Sequence, residues 1–211
     1  MSNPTLHGPG FSTYVRSVRI TLAEKGVVHD LNEFNFLEGW PDGYENLHPF
    51  KKVPVLEHDG LTLYETTAIM TYINAAFDGP ALLSEQPAEC AKSLQTIGIV
   101  DSYAYNALIT RTFIQRAVVP MLGGTTDESM IEGARGDCEQ VISVLNGRVT
   151  GQDYFGGDSV SLADCHVVPV IHYTGQIPEG QTLLGKAPAL TAWMARMSSR
   201  DSVSSTVPSM G

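Results

Sequence analysis

Apolar and polar positions follow two rhythms along this chain, and the change falls near residue 80. Before it, short apolar runs lie between glycines and prolines. Thr5-Leu6-His7 leads into Gly8-Pro9-Gly10, Val27–Phe36 follows Gly26, and Val55–His58 and Leu61–Tyr64 flank Asp59-Gly60. Such runs predict strands, and Asp-Gly between two of them predicts a tight hairpin. Val15, Val18, Ile20 and Leu22 mix with Arg16, Arg19 and Lys25 up to Gly26, which predicts a helix over about 13–25 with Ser12 or Thr13 at its edge. Ala68, Ile69, Tyr72, Ile73 and Ala76 share one face of a second predicted helix, 65–77. The order β-α-β, connector, β-β-α describes an α/β layer domain over residues 1–78.

Residues 79–87, with Gly79, Pro80, Ser84 and Pro87, read as a linker. Beyond it every periodic segment is helical, which predicts an all-helical domain over 88–211. Leu94, Ile97, Val100, Ala104 and Leu108 keep 3–4 spacing in a helix from Glu89 to about Val119. Met130, Ala134, Cys138, Val141 and Leu145 form a second stripe. Ser161-Leu-Ala-Asp164 is a capping box with Ser161 and Asp164 as structural caps, opening an apolar helix through Pro169 to about Tyr173. A last helix spans about 187–199, and the Ser-rich end from Ser202 to Gly211 reads as frayed.

Composition narrows the classes of function. The 211-residue chain carries a formal net charge of −10, which excludes nucleic acid and anionic membranes as preferred partners. No segment approaches the ~20 apolar residues of a membrane span. The N-terminus has neither the basic region nor the apolar core of an export signal, and Cys90, Cys138 and Cys165 have no metal-type spacing. Both features predict a cytoplasmic protein with reduced thiols and no metal. Arg16/Arg19 reads either as solvated surface or as a local positive patch that attracts a small anion.

The most informative stretch is 48–69. In Val53-Pro54-Val55 the proline donates no ladder hydrogen bond, so it belongs at a strand's first residue, where it bends the chain and frees the backbone groups of Val53. Those groups can pair with a peptide-like ligand. Glu65-Thr66 then opens a helix, whose N-terminus attracts a carboxylate.

Taken in order, Leu-His-Gly-x-x-x-Ser12, Arg16, Arg19, Glu24-Lys25-Gly26, Val53-Pro54-Val55, Glu65-Thr66, Ser161-Leu-Ala-Asp164 and Trp193 resemble the cytosolic glutathione S-transferase superfamily over nearly the whole chain, in its bacterial, serine-type form. The resemblance implies a thioredoxin-like domain with a mixed four-stranded sheet, an all-helical C-terminal domain, a homodimer, and glutathione as co-substrate without a metal. It places Ser12 as the hydroxyl that donates to the glutathione sulfur, with Thr13 and Tyr14 as competing donors. Val53 pairs with the cysteinyl unit, Pro54 is the cis-proline, and Glu65 and Thr66 hold the γ-glutamyl group. Threonine replaces the serine most members have at position 66, and Lys52 replaces their usual glutamine. The resemblance also implies Phe50 as an aromatic key into the partner subunit and Asp101 as an acid reaching the partner's glutathione amine. Phe11, Tyr105, Ile109 and Phe113, with Tyr103, line the expected pocket for a hydrophobic electrophile.

The absence of cysteine before residue 90 argues against exchange through a protein thiol. The implied reaction is attack of the glutathione thiolate on an electrophilic carbon. Isomerisation, dehalogenation, ether cleavage and peroxide reduction are alternatives on the same scaffold. A non-catalytic binding or scaffold protein is the alternative of a different class, although it would not need Ser12, Val53-Pro54 and Glu65-Thr66 together.

Overall fold

The computed structural model describes residues 2–208, and they divide into two compact units, 2–82 with 199–208, and 83–198. In the first unit β1 (Thr5–His7), β2 (Asp30–Asn32), β3 (Val55–His58) and β4 (Leu61–Tyr64) form a mixed sheet in the order β2-β1-β3-β4. β1 runs parallel to β2 and antiparallel to β3, with His7 opposite both Asn32 and Val55. The mixed four-stranded sheet of the thioredoxin-like expectation is present. Asp59 and Gly60 both have positive φ, 46° and 82°, which is the twist a two-residue hairpin needs.

Helices α1 (Thr13–Glu24) and α2 (Thr66–Ala76) complete the layer. Leu6, Val15, Val18, Leu22, Val55, Leu56, Ile69, Met70 and Ile73 are among the buried residues of this unit. The predicted strand 27–36 shrinks to three residues. Phe34 and Phe36 leave the ladder for an aromatic cluster, Phe36 stacking on Trp40 at 5.7 Å and Phe34 meeting Tyr44 at 5.1 Å. Ala68, expected on the inner face of α2, is exposed, and Thr66, Ile69, Met70 and Ile73 are the buried positions.

The C-terminal segment departs from expectation. Residues 199–208 belong to the first unit, not to the helical domain, and 201–204 form a helical turn, α9, rather than a frayed end. The cause is a set of bonds to α1. Arg200 clasps Glu24 through two hydrogen bonds of 2.7 Å, Ser202 donates to the same carboxylate, and Arg16 reaches the Val203 carbonyl and Thr206. Arg16 is therefore fully buried, neither solvated nor available to an external anion. The rest of the expected fraying, residues 209–211, lies outside the described residues.

The helical unit contains α3 (Pro87–Ile99), a widely wound segment Val100–Val118, α4 (Val119–Met121), α5 (Glu128–Val149), α6 (Leu162–Thr174), α7 (Pro178–Leu184) and α8 (Pro188–Ser198). The segment 100–118 is a π-helix, in which the Val119 N–H bonds the Ile114 carbonyl five residues back. Its buried side chains keep the expected four-residue steps at Val100, Ala104 and Leu108 and then step five to Phe113, while half-buried Arg111 pairs with Asp137 at 2.7 Å. The capping box of α6 is formed. Buried Asp164 accepts from the Ser161 N–H and hydroxyl with one oxygen, and from the Phe155 N–H and Trp193 Nε1–H with the other.

Candidate active site

Ser12 is the N-cap of α1. Its backbone carbonyl accepts the Arg16 N–H at 2.9 Å, and its half-buried hydroxyl oxygen accepts the Val15 N–H at a long 3.4 Å. A hydroxyl that accepts from the helix keeps its own proton to donate outward. Cap and donor are compatible roles. No acidic residue lies in the first turn of α1, so the partial positive charge at its N-terminus is not neutralised there. Thr13, one competing donor, is buried.

The loop before Ser12 is held in part by Glu33, which the sequence did not single out. Glu33 accepts the Gly10 N–H at 2.7 Å, and it opposes the lowering of the Arg19 pKa that burial causes. Gly8 has φ +133°, and a Cβ there would lie 2.6 Å from Val15 Cγ2 and 3.0 Å from Val53 Cβ. This glycine lets Val53 close on the start of α1. His7 is a packed histidine, bonded to Glu57 at 2.7 Å and to Asn32 at 3.0 Å.

The Val53-Pro54 peptide is cis, and β3 begins at Val55, so Val53 lies outside the ladder. The loop leading to it is tied down by the Tyr44 hydroxyl, which donates to the Lys52 carbonyl at 2.9 Å. Burial pushes the Tyr44 phenol up to about 12, so it stays a donor at neutral pH. Lys52 itself is exposed. At the far end of the hairpin, Glu65 adopts φ 71°, ψ 114°, a sparsely populated conformation for a residue with a side chain. The Glu65 side chain is exposed and makes no cap bond to α2, whose first turn also lacks an acid, while Thr66 is buried at its first position. His48 is the other residue missed, buried beside Tyr64 with a ring separation of 4.6 Å.

The first unit thus brings Ser12, Val53, Glu65 and Thr66 onto the loops and helix starts at the ends of its strands. Phe50 is 69% exposed. Phe11 is exposed next to Ser12 and touches Phe36 at 5.6 Å. In the helical unit Asp101 pairs with buried His166 of its own chain at 2.9 Å. Ile109 is buried, Phe113 packs on Tyr173 at 4.6 Å, Tyr105 is half-buried and Tyr103 exposed.

Comparison with known proteins gives this geometry a family. Residues 6–81 match the glutathione S-transferase N-terminal domain, and residues 95–201 match the C-terminal domain. A glutathione S-transferase of Hyoscyamus muticus is 30% identical over 207 residues, with 96% of each chain covered. Among solved structures, glutathione transferase F7 from Populus trichocarpa superposes with a TM-score of 0.85 at 28% identity, covering 96% of this chain and 97% of that one. Glutathione S-transferase I from mais, solved with an atrazine glutathione conjugate, gives 0.85 at 29% identity, with 97% and 96% covered. These relatives are plant proteins and give no support to the bacterial subtype that the resemblance implied. The chain belongs to the glutathione S-transferase family.

Proposed function

We propose that this protein is a glutathione transferase of the serine type, in which Ser12 stabilises the thiolate of bound glutathione for attack on a hydrophobic electrophile. The observation that carries this reading is a half-exposed hydroxyl at a helix N-terminus whose first turn holds no acid, packed through Gly8 against Val53. In this reading the backbone groups of Val53 pair with the cysteinyl unit. The γ-glutamyl carboxylate sits on the N-terminus of α2 at Thr66, and Glu65 faces its amine. Lys52, exposed beside Val53, attracts the glycyl carboxylate. Glutathione binds as co-substrate. The glutathione conjugate held by the mais relative supports this assignment.

The chemistry asked of Ser12 is modest. A free thiol with pKa ~8.5 is mostly protonated at pH 7, and lowering it by ~2 units requires about 2.7 kcal/mol. One hydroxyl hydrogen bond to the anion supplies ~1.5–3 kcal/mol. A helix N-terminus adds ~0.3–1 kcal/mol, more where partly buried. Their sum reaches the requirement without a metal or a general base. The new C–S bond then forms from the thiolate pair, and the electrophile either loses its leaving group or takes up a proton.

The electrophile side draws on Phe11, with Tyr105, Ile109 and Phe113 as the candidates from the helical unit. The homodimer is supported by Phe50, since an exposed loop phenylalanine carries an apolar penalty unless something covers it. Its test is light scattering: Phe50→Ala shifts the mass toward monomer, and an unchanged dimer removes Phe50 as the key. Asp101 already has His166 as a partner, so its reach toward a second subunit's glutathione requires that pair to open. Cys90, Cys138 and Cys165 form no disulfide, in keeping with a reducing, cytoplasmic setting. Retention on immobilised glutathione tests the binding half of the proposal. Failure to be retained favours a scaffold role.

A further inference from the structure

One buried histidine contacts both halves of the proposed glutathione cradle and takes no part in the chemistry above. His48 is 2% exposed. Its Nδ1 accepts the backbone N–H of Phe50 at 3.3 Å, which leaves the proton of the neutral ring on Nε2. Its backbone N–H donates to the Tyr44 carbonyl and its carbonyl accepts the Lys51 N–H, both at 2.9 Å. One turn of chain therefore links Tyr44 to Lys51, next to Lys52 and Val53. On the other side the imidazole lies 4.6 Å from the ring of Tyr64, the residue immediately before Glu65.

We infer that His48 is a positioning residue for glutathione: its neutral Nδ1 holds the His48–Lys51 turn that leads into Val53 while its ring supports Tyr64 and Glu65, and protonation of Nδ1 releases the turn. The inference rests on the reading that Val53 and Glu65 hold glutathione. Protonation removes the only lone pair that Phe50 N–H uses on this ring, so the bond cannot survive it. The charged groups acting on the imidazole are Glu65, which favours the proton, and Lys52, which opposes it; Tyr44 and Tyr64 are the titratable neighbours on the packed segments. Burial outweighs the pull of Glu65 and holds the ring below its ordinary value of 6.5, so the holding form prevails at neutral pH. Glutathione affinity therefore falls as pH drops below about 6.5, through the lowered value.

The test is calorimetric binding of S-methylglutathione, which has no thiol to titrate, from pH 7.5 to pH 5.0. His48→Asn keeps an acceptor that reaches the N–H two residues on, as in an Asx-turn. His48→Leu keeps bulk without an acceptor. At pH 7.5 His48→Asn binds within about twofold of wild type, and His48→Leu binds about fivefold more weakly, the worth of one neutral hydrogen bond. Wild type weakens toward the His48→Leu value on acidification, whereas His48→Asn stays flat. A wild-type affinity unchanged down to pH 5.0, or a His48→Asn protein that titrates like wild type or binds as weakly as His48→Leu, overturns the inference. Should His48→Leu fail to fold, wild type against His48→Asn decides it. A wild type that does not bind S-methylglutathione at pH 7.5 overturns the proposed function as well, and is thereby distinguished.

Discussion

Gly8→Ala is the substitution that most directly ties the fold to the site. The added methyl group lies 2.6 Å from Val15 Cγ2 and 3.0 Å from Val53 Cβ, at a backbone φ of +133° that side chains rarely adopt. Val15 cannot swing aside freely, because it is buried and β-branched on a helix. The backbone conformation costs about 1–3 kcal/mol and the overpacking about 1–3 more. A loss of about 2–6 kcal/mol follows, a large part of the 5–15 kcal/mol usual for a domain. The clash also pushes Val53 away from the start of α1, so the affinity for S-methylglutathione falls at least about tenfold, or ~1.4 kcal/mol. Gly26→Ala is the control: φ is +69° and nothing lies within 4 Å of the new methyl group. It should cost about 1–2 kcal/mol and leave affinity unchanged. Urea unfolding and calorimetry on both variants give the answer. The reasoning fails if Gly8→Ala costs no more than Gly26→Ala, or if it unfolds more easily yet binds as tightly.

Two further predictions concern stability. Burial raises the carboxyl pKa of Glu24, but the hydrogen bonds and charge of Arg200 and the Ser202 bond outweigh it and leave the value below the ordinary 4.5. A depressed carboxyl stabilises above its unfolded pKa, so this contribution is present above about pH 4.5 and is lost as pH falls through the folded value. The gap in urea midpoint between wild type and Glu24→Gln should close below that pH; a constant gap refutes the assignment. Asp164→Ala leaves the Trp193 Nε1–H and Phe155 N–H buried without their acceptor, at about 1–3 kcal/mol each, or roughly 2–6 in all. A measured loss under about 1 kcal/mol would mean that water replaces the carboxylate.

Local signals in the sequence carried most of the fold. Asp59-Gly60 has a single good use, a turn with two positive φ angles, and the structure makes that turn. Ser161 and Asp164 are three residues apart, so the capping box is readable without the tertiary structure. Ser12 and the Pro54 stretch were legible for the same reason: each is a short-range conflict between residue type and regular structure. Long-range pairings left no such mark. Glu33 meets Gly10, and Glu24 meets Arg200 and Ser202, across spans that no periodicity records. Arg16 read as solvated surface or an anion-attracting patch because its partners are supplied by a Ser-rich tail that resembles a frayed end. The π-wound segment was hidden because apolar residues near it satisfy both spacings. The five-residue step from Leu108 to Phe113 and the bond from the Val119 N–H to the Ile114 carbonyl separate the two. Helix α7 was not among the expected elements; Pro178 starts it and Gly180 lets it close on the Thr174 carbonyl. His48 could have been noticed only as a polar residue that its neighbours leave no room to solvate.

The central claim, that Ser12 supplies the activation, is tested by titrating the thiolate absorbance of bound glutathione in wild type and Ser12→Ala. The account predicts a wild-type complex that is mostly thiolate at pH 7, with an apparent pKa ~2 units below that of the free thiol. In Ser12→Ala the value should return at least ~1 unit toward the free thiol while glutathione stays bound. Saturated wild type without a thiolate signal near pH 7, or a Ser12→Ala complex that titrates like wild type, would contradict it.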